Sequence, residues 1–180
     1  MSHNRPVTFR EWFEVSPGLW WWEKGPDALA RAVGVDGGGL NARRAVSVVP
    51  AGAPLLGRAT PIDNCRTYAH LFGYRRTSSE IFTCLRTVEI PDRAASRRAG
   101  ELNELQRTLT WLAMARMAAT SVIVLLEPPN SSSKAQRDQL RRVLQEATEF
   151  HSHIFVATHH RESAASLGAH PVPTFVGTEP

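Results

Sequence analysis

The sequence predicts an α/β protein, a mostly parallel sheet with helices on both faces. Three observations predict it. Short stretches rich in valine and isoleucine alternate with longer stretches that carry helix signals. The short stretches, such as "SVIVLL" and "HIFVAT", are apolar throughout, as strands covered on both faces are. Finally, the strand Val122–Leu126 runs straight into one carboxylate, Glu127, and His159 stands just past the strand His153–Thr158. In parallel sheets the carboxyl ends of the strands form the ligand edge, so both residues are placed as site candidates.

The elements follow in order. "PVTFREWFEVSPGLWWWEKG" reads as a hairpin turning at Ser16–Gly18, a small antiparallel β piece at the N-terminus. In its second arm Trp20 and Trp22 point one way and Trp21 the other. "PDALARAV" reads as a helix with proline in its first turn, ended by "GVDGGGLN". Ala45–Pro50 is a short buried strand, followed by the loop "AGAPLLGRA". Thr60–Gly73 carries a full set of helix signals: Thr60 as cap, Pro61 in the first turn, Asp63 at the positive end and Gly73 to close. "SSEIFTCLRTV" is a second helix, and "PDRAASRRAGE" is mostly irregular. From Leu102 a long helix follows, with Leu105, Leu109, Leu112, Ala113 and Met117 at three- and four-residue steps. Beyond Val122–Leu126 come a helix from Lys134 to Phe150, the strand at His153, a short helix closed by Gly168, and a last strand "PTFVG".

Totals narrow the function classes. The chain has 180 residues, and residues 1–180 read as one domain. Its make-up, 42% hydrophobic and 21% charged, is that of a soluble globular protein. Two cysteines, Cys65 and Cys84, are too few for a disulfide framework and lack metal-ligand spacing, so a reducing, cytosolic setting is expected. The start has no apolar signal-peptide core, and no apolar run approaches the ~20 residues of a membrane span. The formal charge is +4, nearly all of it arginine, but acids are interspersed among the arginines. That argues against a nucleic-acid stripe and leaves anionic headgroups or an acidic partner. Repeated histidines at His151, His153 and His160 invite a zinc reading. "HSH" in a strand sets two imidazoles on one face, but no acid or thiol is spaced to complete a site, so no metal is expected.

The second half resembles the nucleotide-binding domain of ABC transporters, a P-loop NTPase fold. "AGELNELQRTLTWLAMARMAATSVIVLLEPPNSS" is similar to that family's signature motif, its helix and the Walker B strand, and the interval from Gln106 to Glu127 matches the family's spacing. "IFVATHH" resembles the switch strand, with the family's histidine on His159. The stretch from Thr60 resembles the helical subdomain, roughly residues 60–118, and the match runs from about Ala45 to Val176. The resemblance implies a general base at Glu127 and a phosphate sensor at His159. It implies a signature at Asn103, Glu104, Leu105 and Gln106, and a partner-facing loop at Leu55 and Leu56.

Departures from the pattern carry as much weight. The P-loop G-x-x-x-x-G-K-[ST] is missing: "GLWWWEKGP" stands in its place, and Pro26 has no amide hydrogen. Leu126 holds the metal-side aspartate position, Ser133 the D-loop aspartate and Ala51 the glutamine after the third strand. Asn103, Glu104 and Leu105 replace the signature's serine and two glycines, which blocks close backbone approach to phosphate. One expectation is that a tryptophan of Trp20–Trp22 fills the volume nucleotide would take. The resemblance with its losses implies a degenerate ATP-binding-type subunit with a structural or regulatory role. It would be cytoplasmic and peripheral on the inner membrane face, partnered by a permease or a second ATPase subunit, with no cofactor. One alternative is a working transporter ATPase using ATP and magnesium. A second is a free-standing soluble protein-binding module.

Overall fold

The computed structural model describes residues 12, 15–23, 46–129 and 133–173. Strands β1 (Gly18–Trp22), β2 (Val46–Val49), β3 (Val122–Leu126), β4 (His153–Ala157) and β5 (His170–Pro171) form one sheet in the order β2-β3-β4-β1-β5. Every described pairing is parallel. The helices are α1 (Pro61–Leu71), α2 (Ser78–Thr87), α3 (Asp92–Ala95), α4 (Glu104–Met117), α5 (Lys134–Ala147) and α6 (Arg161–Ser166). The α/β class and the parallel sheet therefore stand.

The N-terminal hairpin does not. β1 pairs in parallel with β4 along its whole length and with β5 at Trp20 and Trp21. With neighbours on both edges it is an interior strand, with no edge left for an antiparallel arm. Trp12 and Val15, expected in the first arm, are helical. The helix at residues 26–33 and most of "PTFVG" lie outside the described residues, and β5 begins three residues earlier than that strand. The segment read as irregular holds α3 and a 3-10 turn at Ala99–Glu101.

Side chains alternate across the sheet, and each set enters its own cluster. Leu19, Trp21, Val49, Ile123, Leu125, Ile154 and Val156 pack on the face carrying α4, α5 and α6. Val122, Val124, Phe155 and Ala157 pack on the other face, with Trp12 over them and Trp20 and Trp22 beside them. Helix α4 is buried nearly all round, which explains its weak amphipathicity. Its buried Thr108 and Thr110 hydroxyls donate back to Glu104 O at 3.0 Å and Gln106 O at 2.8 Å, so no polar group is stranded. Among the described residues, four helices begin on side-chain caps, at Thr60, Thr77, Asn103 and Ser133. Gly73 and Gly168 take the left-handed backbone that ends α1 and α6, at φ 76° and 80°. Cys65 is buried, and burial pushes its thiol up to about 12, the behaviour of an inert core residue.

The two histidines of "HSH" do not share a face. His153 is in β4 and packs against Trp12 and Phe155. His151 precedes the strand, so the alternation does not reach it, and it lines a small cavity with Leu112, Arg116, Ile123 and Val143 on the opposite side. Burial holds its imidazole below the ordinary value, with the Arg116 charge acting in the same direction. The neutral ring is thus part of the folded state. Below the ordinary histidine value of ~6.5 the unfolded chain takes up the proton first, so stability is full above that pH and is lost as pH falls through it. Urea midpoints between pH 7 and pH 5.5 are expected to drop in the wild type, and the drop is expected to shrink in His151→Gln.

Candidate functional site

The register sets a level rim at the carboxyl edge of the sheet. Trp22 pairs with Ala157, and Ala157 with Leu126, so the last residues of three strands stand in one row. Glu127 and Thr158 follow immediately. The Glu127 amide donates to Ala157 O at 3.0 Å, and the Thr158 amide to Trp22 O at 3.3 Å. Glu127 then leaves the sheet with φ 42°, an uncommon conformation for a residue with a side chain. Pro128 and Pro129 have no amide hydrogen to extend the ladder, which is why the strand stops there.

Thr158 ties this rim together. Its hydroxyl donates to Glu127 Oε2 at 2.9 Å and accepts from the His160 amide at 3.2 Å. Its carbonyl accepts the indole N–H of Trp21 at 2.9 Å. Each polar group of this buried residue is therefore used, and together they join β1, β3 and the start of α6. Sequence reasoning passed over Thr158. The signal present was a hydroxyl at the end of an otherwise apolar strand, immediately before two histidines.

The expected residues fall in four places. Glu127 and His159 are both at the rim, Glu127 half-buried and His159 exposed. Asn103 and Gln106 form a capping box at the start of α4: Asn103 Oδ1 accepts from the Gln106 amide at 2.8 Å, and Gln106 Oε1 from the Asn103 amide at 3.2 Å. Glu104 is half-buried and Leu105 is in the core. Leu55 and Leu56 are on the loop before α1, where Leu55 packs against the main core and Leu56 is exposed. Ser133 caps α5, accepting from the Gln136 amide at 3.4 Å.

The three tryptophans pack as strand residues. Trp21 is in the main core beneath Thr158. Trp20 meets Trp12 edge-on at 4.7 Å, and Trp22 meets Phe155 edge-on at 6.5 Å. The segment Lys24–Pro26, expected in place of a phosphate loop, lies outside the described residues.

Among the described residues no group of three or more histidines, cysteines or acids could hold a metal ion. The rim's described carboxylates are Glu23, exposed after β1, and Glu127 after β3, one oxygen of which accepts the Thr158 hydroxyl hydrogen. Leu126 supplies no ligand at the end of β3. At the start of α4 the capping box occupies the amides of Asn103 and Gln106 with the helix's own side chains, so those two are not presented to an anion.

No family model matches the sequence, and no curated protein matches it either. The likeness lies in the fold, that of α/β proteins with a mostly parallel sheet. More narrowly, it is the fold of ATP-binding cassettes. The dimeric ATP-binding cassette MJ0796, in a post-hydrolysis state bound to ADP and phosphate, superposes with a TM-score of 0.58 at 19% identity, over 69% of this chain and 56% of that one. The ADP conformation of MJ1267, an ATP-binding cassette of an ABC transporter, gives 0.53 at 14% identity, over 68% and 53%. CbiO1 from Clostridium perfringens, part of the ABC transporter complex cbiONQ, gives 0.51 at 15% identity, over 64% and 46%. The matched region thus corresponds to about half of each of these chains.

Thr158→Val deletes the hydroxyl while keeping the strand-end shape. It is expected to lower stability by about 1–2 kcal/mol, since a carboxylate and an amide each lose a partner. Thr158→Ser is expected to retain most of that stability. Urea unfolding of the two variants checks both values.

Proposed function

We propose that the chain is a catalytically degenerate ABC-transporter ATP-binding-type subunit, with a structural or regulatory role in a transporter complex. On this reading residues 1–180 are one cassette-like domain, with a helical subdomain at roughly 60–118. Glu127 and His159 are relics of the Walker B and switch positions. The observation that supports the reading is the Thr158–Glu127 hydrogen bond, which ties the acid at the end of β3 to the neighbouring strand. The sequence supports it from three sides, with no phosphate loop, with Leu126 at the metal-side position, and with Asn103, Glu104 and Leu105 in the signature. Phosphoryl transfer depends on positioning and charge stabilisation of the phosphates, and the loss of those groups removes it.

The partners that follow are a permease membrane subunit, a second ATPase subunit, or both, with Leu55 and Leu56 turned toward the permease. The subunit would then be cytoplasmic and peripheral on the inner face of the membrane. Among the described residues no helix is long and apolar enough to cross a membrane.

A working ATPase remains the competing reading, because Glu127 and His159 do both stand at the rim. Phosphate release separates the two. The purified chain with magnesium and ATP is expected to show none above the enzyme-free rate, and Glu127→Gln is expected to change nothing. Turnover that Glu127→Gln abolishes would establish the competing reading. Isolation from native membranes in detergent is expected to retain a membrane protein; a clean monomer would point to a free-standing soluble module.

A further inference from the structure

On the loop before α1, on α1 and on α4 lies a surface that the rim does not use. Leu56 is 58% exposed, Leu71 76% and Phe72 59%. Contacts join Leu56 and Phe72 to one footing, and Leu71 directly precedes Phe72 in the chain. The Leu56 amide donates to Asn64 Oδ1 at 2.8 Å, and Asn64 Nδ2 donates to Leu56 O at 3.2 Å, which fixes the loop on α1. One turn further along that helix face, Tyr68 packs on Phe72 with ring centres 4.5 Å apart. Its other side meets Trp111 of α4 edge-on at 5.9 Å, and the Trp111 indole donates to Pro54 O at 2.9 Å. Tyr68 and Trp111 are half-buried and form the footing from which the exposed side chains project.

Arginines border the ridge at both ends. Arg58 follows Leu56 by two positions, and main-chain bonds from Ala99 to Ala59 at 2.8 Å and from Gly100 to Gly57 at 2.9 Å bring Arg98 alongside. That approach needs glycine, since a Cβ at Gly100 would stand 3.2 Å from Gly57 O. Arg75 lies at the other end, past the Gly73 turn. Arg58, Arg75 and Arg98 are all exposed, and none has a carboxylate partner among the described residues. The acids nearby are engaged: Asp63 is held by Arg66 at 2.7 Å and Glu101 by Arg97 at 3.3 Å.

We propose that this ridge docks directly on an anionic lipid bilayer. Leu56, Leu71 and Phe72 enter the boundary between headgroups and acyl chains, and Arg58, Arg75 and Arg98 meet the lipid phosphates. Apolar groups that project, flanked by unpaired cations, are what an anionic interface binds. Side chains more than half exposed protrude rather than line a cleft, which favours a fluid surface over a helix seated in a groove. The inference needs no permease, and it competes with the transporter reading for Leu56, which cannot meet a permease and the bilayer at once.

Vesicle flotation of the full chain tests it, with phosphatidylcholine alone and with phosphatidylcholine containing a third phosphatidylglycerol. The wild type is expected to float with the anionic vesicles at low salt, to stay behind with the neutral ones, and to dissociate at high salt. Leu71→Ser/Phe72→Ser and Arg58→Glu/Arg98→Glu are each expected to weaken partition about ten-fold or more, with unchanged circular dichroism and urea midpoints. Absence of binding to anionic vesicles, equal binding to both kinds, or binding that survives either pair of substitutions overturns the proposal; in the first case the ridge is left to a protein occupant.

Discussion

β4 is hydrogen-bonded along both edges over its full length, to β1 on one side and β3 on the other, and all five of its residues are buried. That double pairing is the constraint on which the rim depends. It fixes the register, so Trp22, Ala157 and Leu126 end at one level. It also places Thr158, the next residue of β4, between the ends of its two neighbours, where only hydrogen bonds to both can satisfy a buried hydroxyl and amide. Glu127 is drawn into that arrangement as an acceptor. Its position is a consequence of register, and its partner a consequence of burial.

The same economy recurs at the helix starts. A helix N-terminus offers free amides and a positive dipole end, which suits an anion. In α2, α4 and α5 a reciprocal cap uses two of those groups. Asn103, Gln106 and Ser133, which the sequence resemblance sets at the signature and D-loop positions, are among the capping residues. At these three described helix starts, two polar groups each are satisfied internally. The proposed structural role follows from that balance, since the scaffold keeps the shape of a cassette while its polar groups answer to one another.

Much of the fold was legible because it rests on local signals. Thr60, Pro61, Asp63 and Gly73 mark α1 by capping chemistry alone, and the continuous apolar runs at Val122 and His153 announce strands covered on both faces. The N-terminal strand was misread for a physical reason. Residues 18–22 pair with residues 153–157, and nothing in the local pattern distinguishes an interior parallel strand from a hairpin arm when a serine–proline–glycine turn precedes it. His151 was assigned to the wrong face because it lies outside the strand whose alternation was extended to it. Glu127 and His159 were visible as polar residues at strand ends. Thr158 was not, because a single hydroxyl closing an apolar run gains meaning only once both flanking strands are in place.

Calorimetric titration of the intact chain with magnesium and ATP bears most directly on the proposal that Glu127 and His159 are relics. The account predicts no saturable heat up to millimolar nucleotide, in the wild type and in Thr158→Val alike. A saturable isotherm with micromolar affinity in the wild type would contradict it.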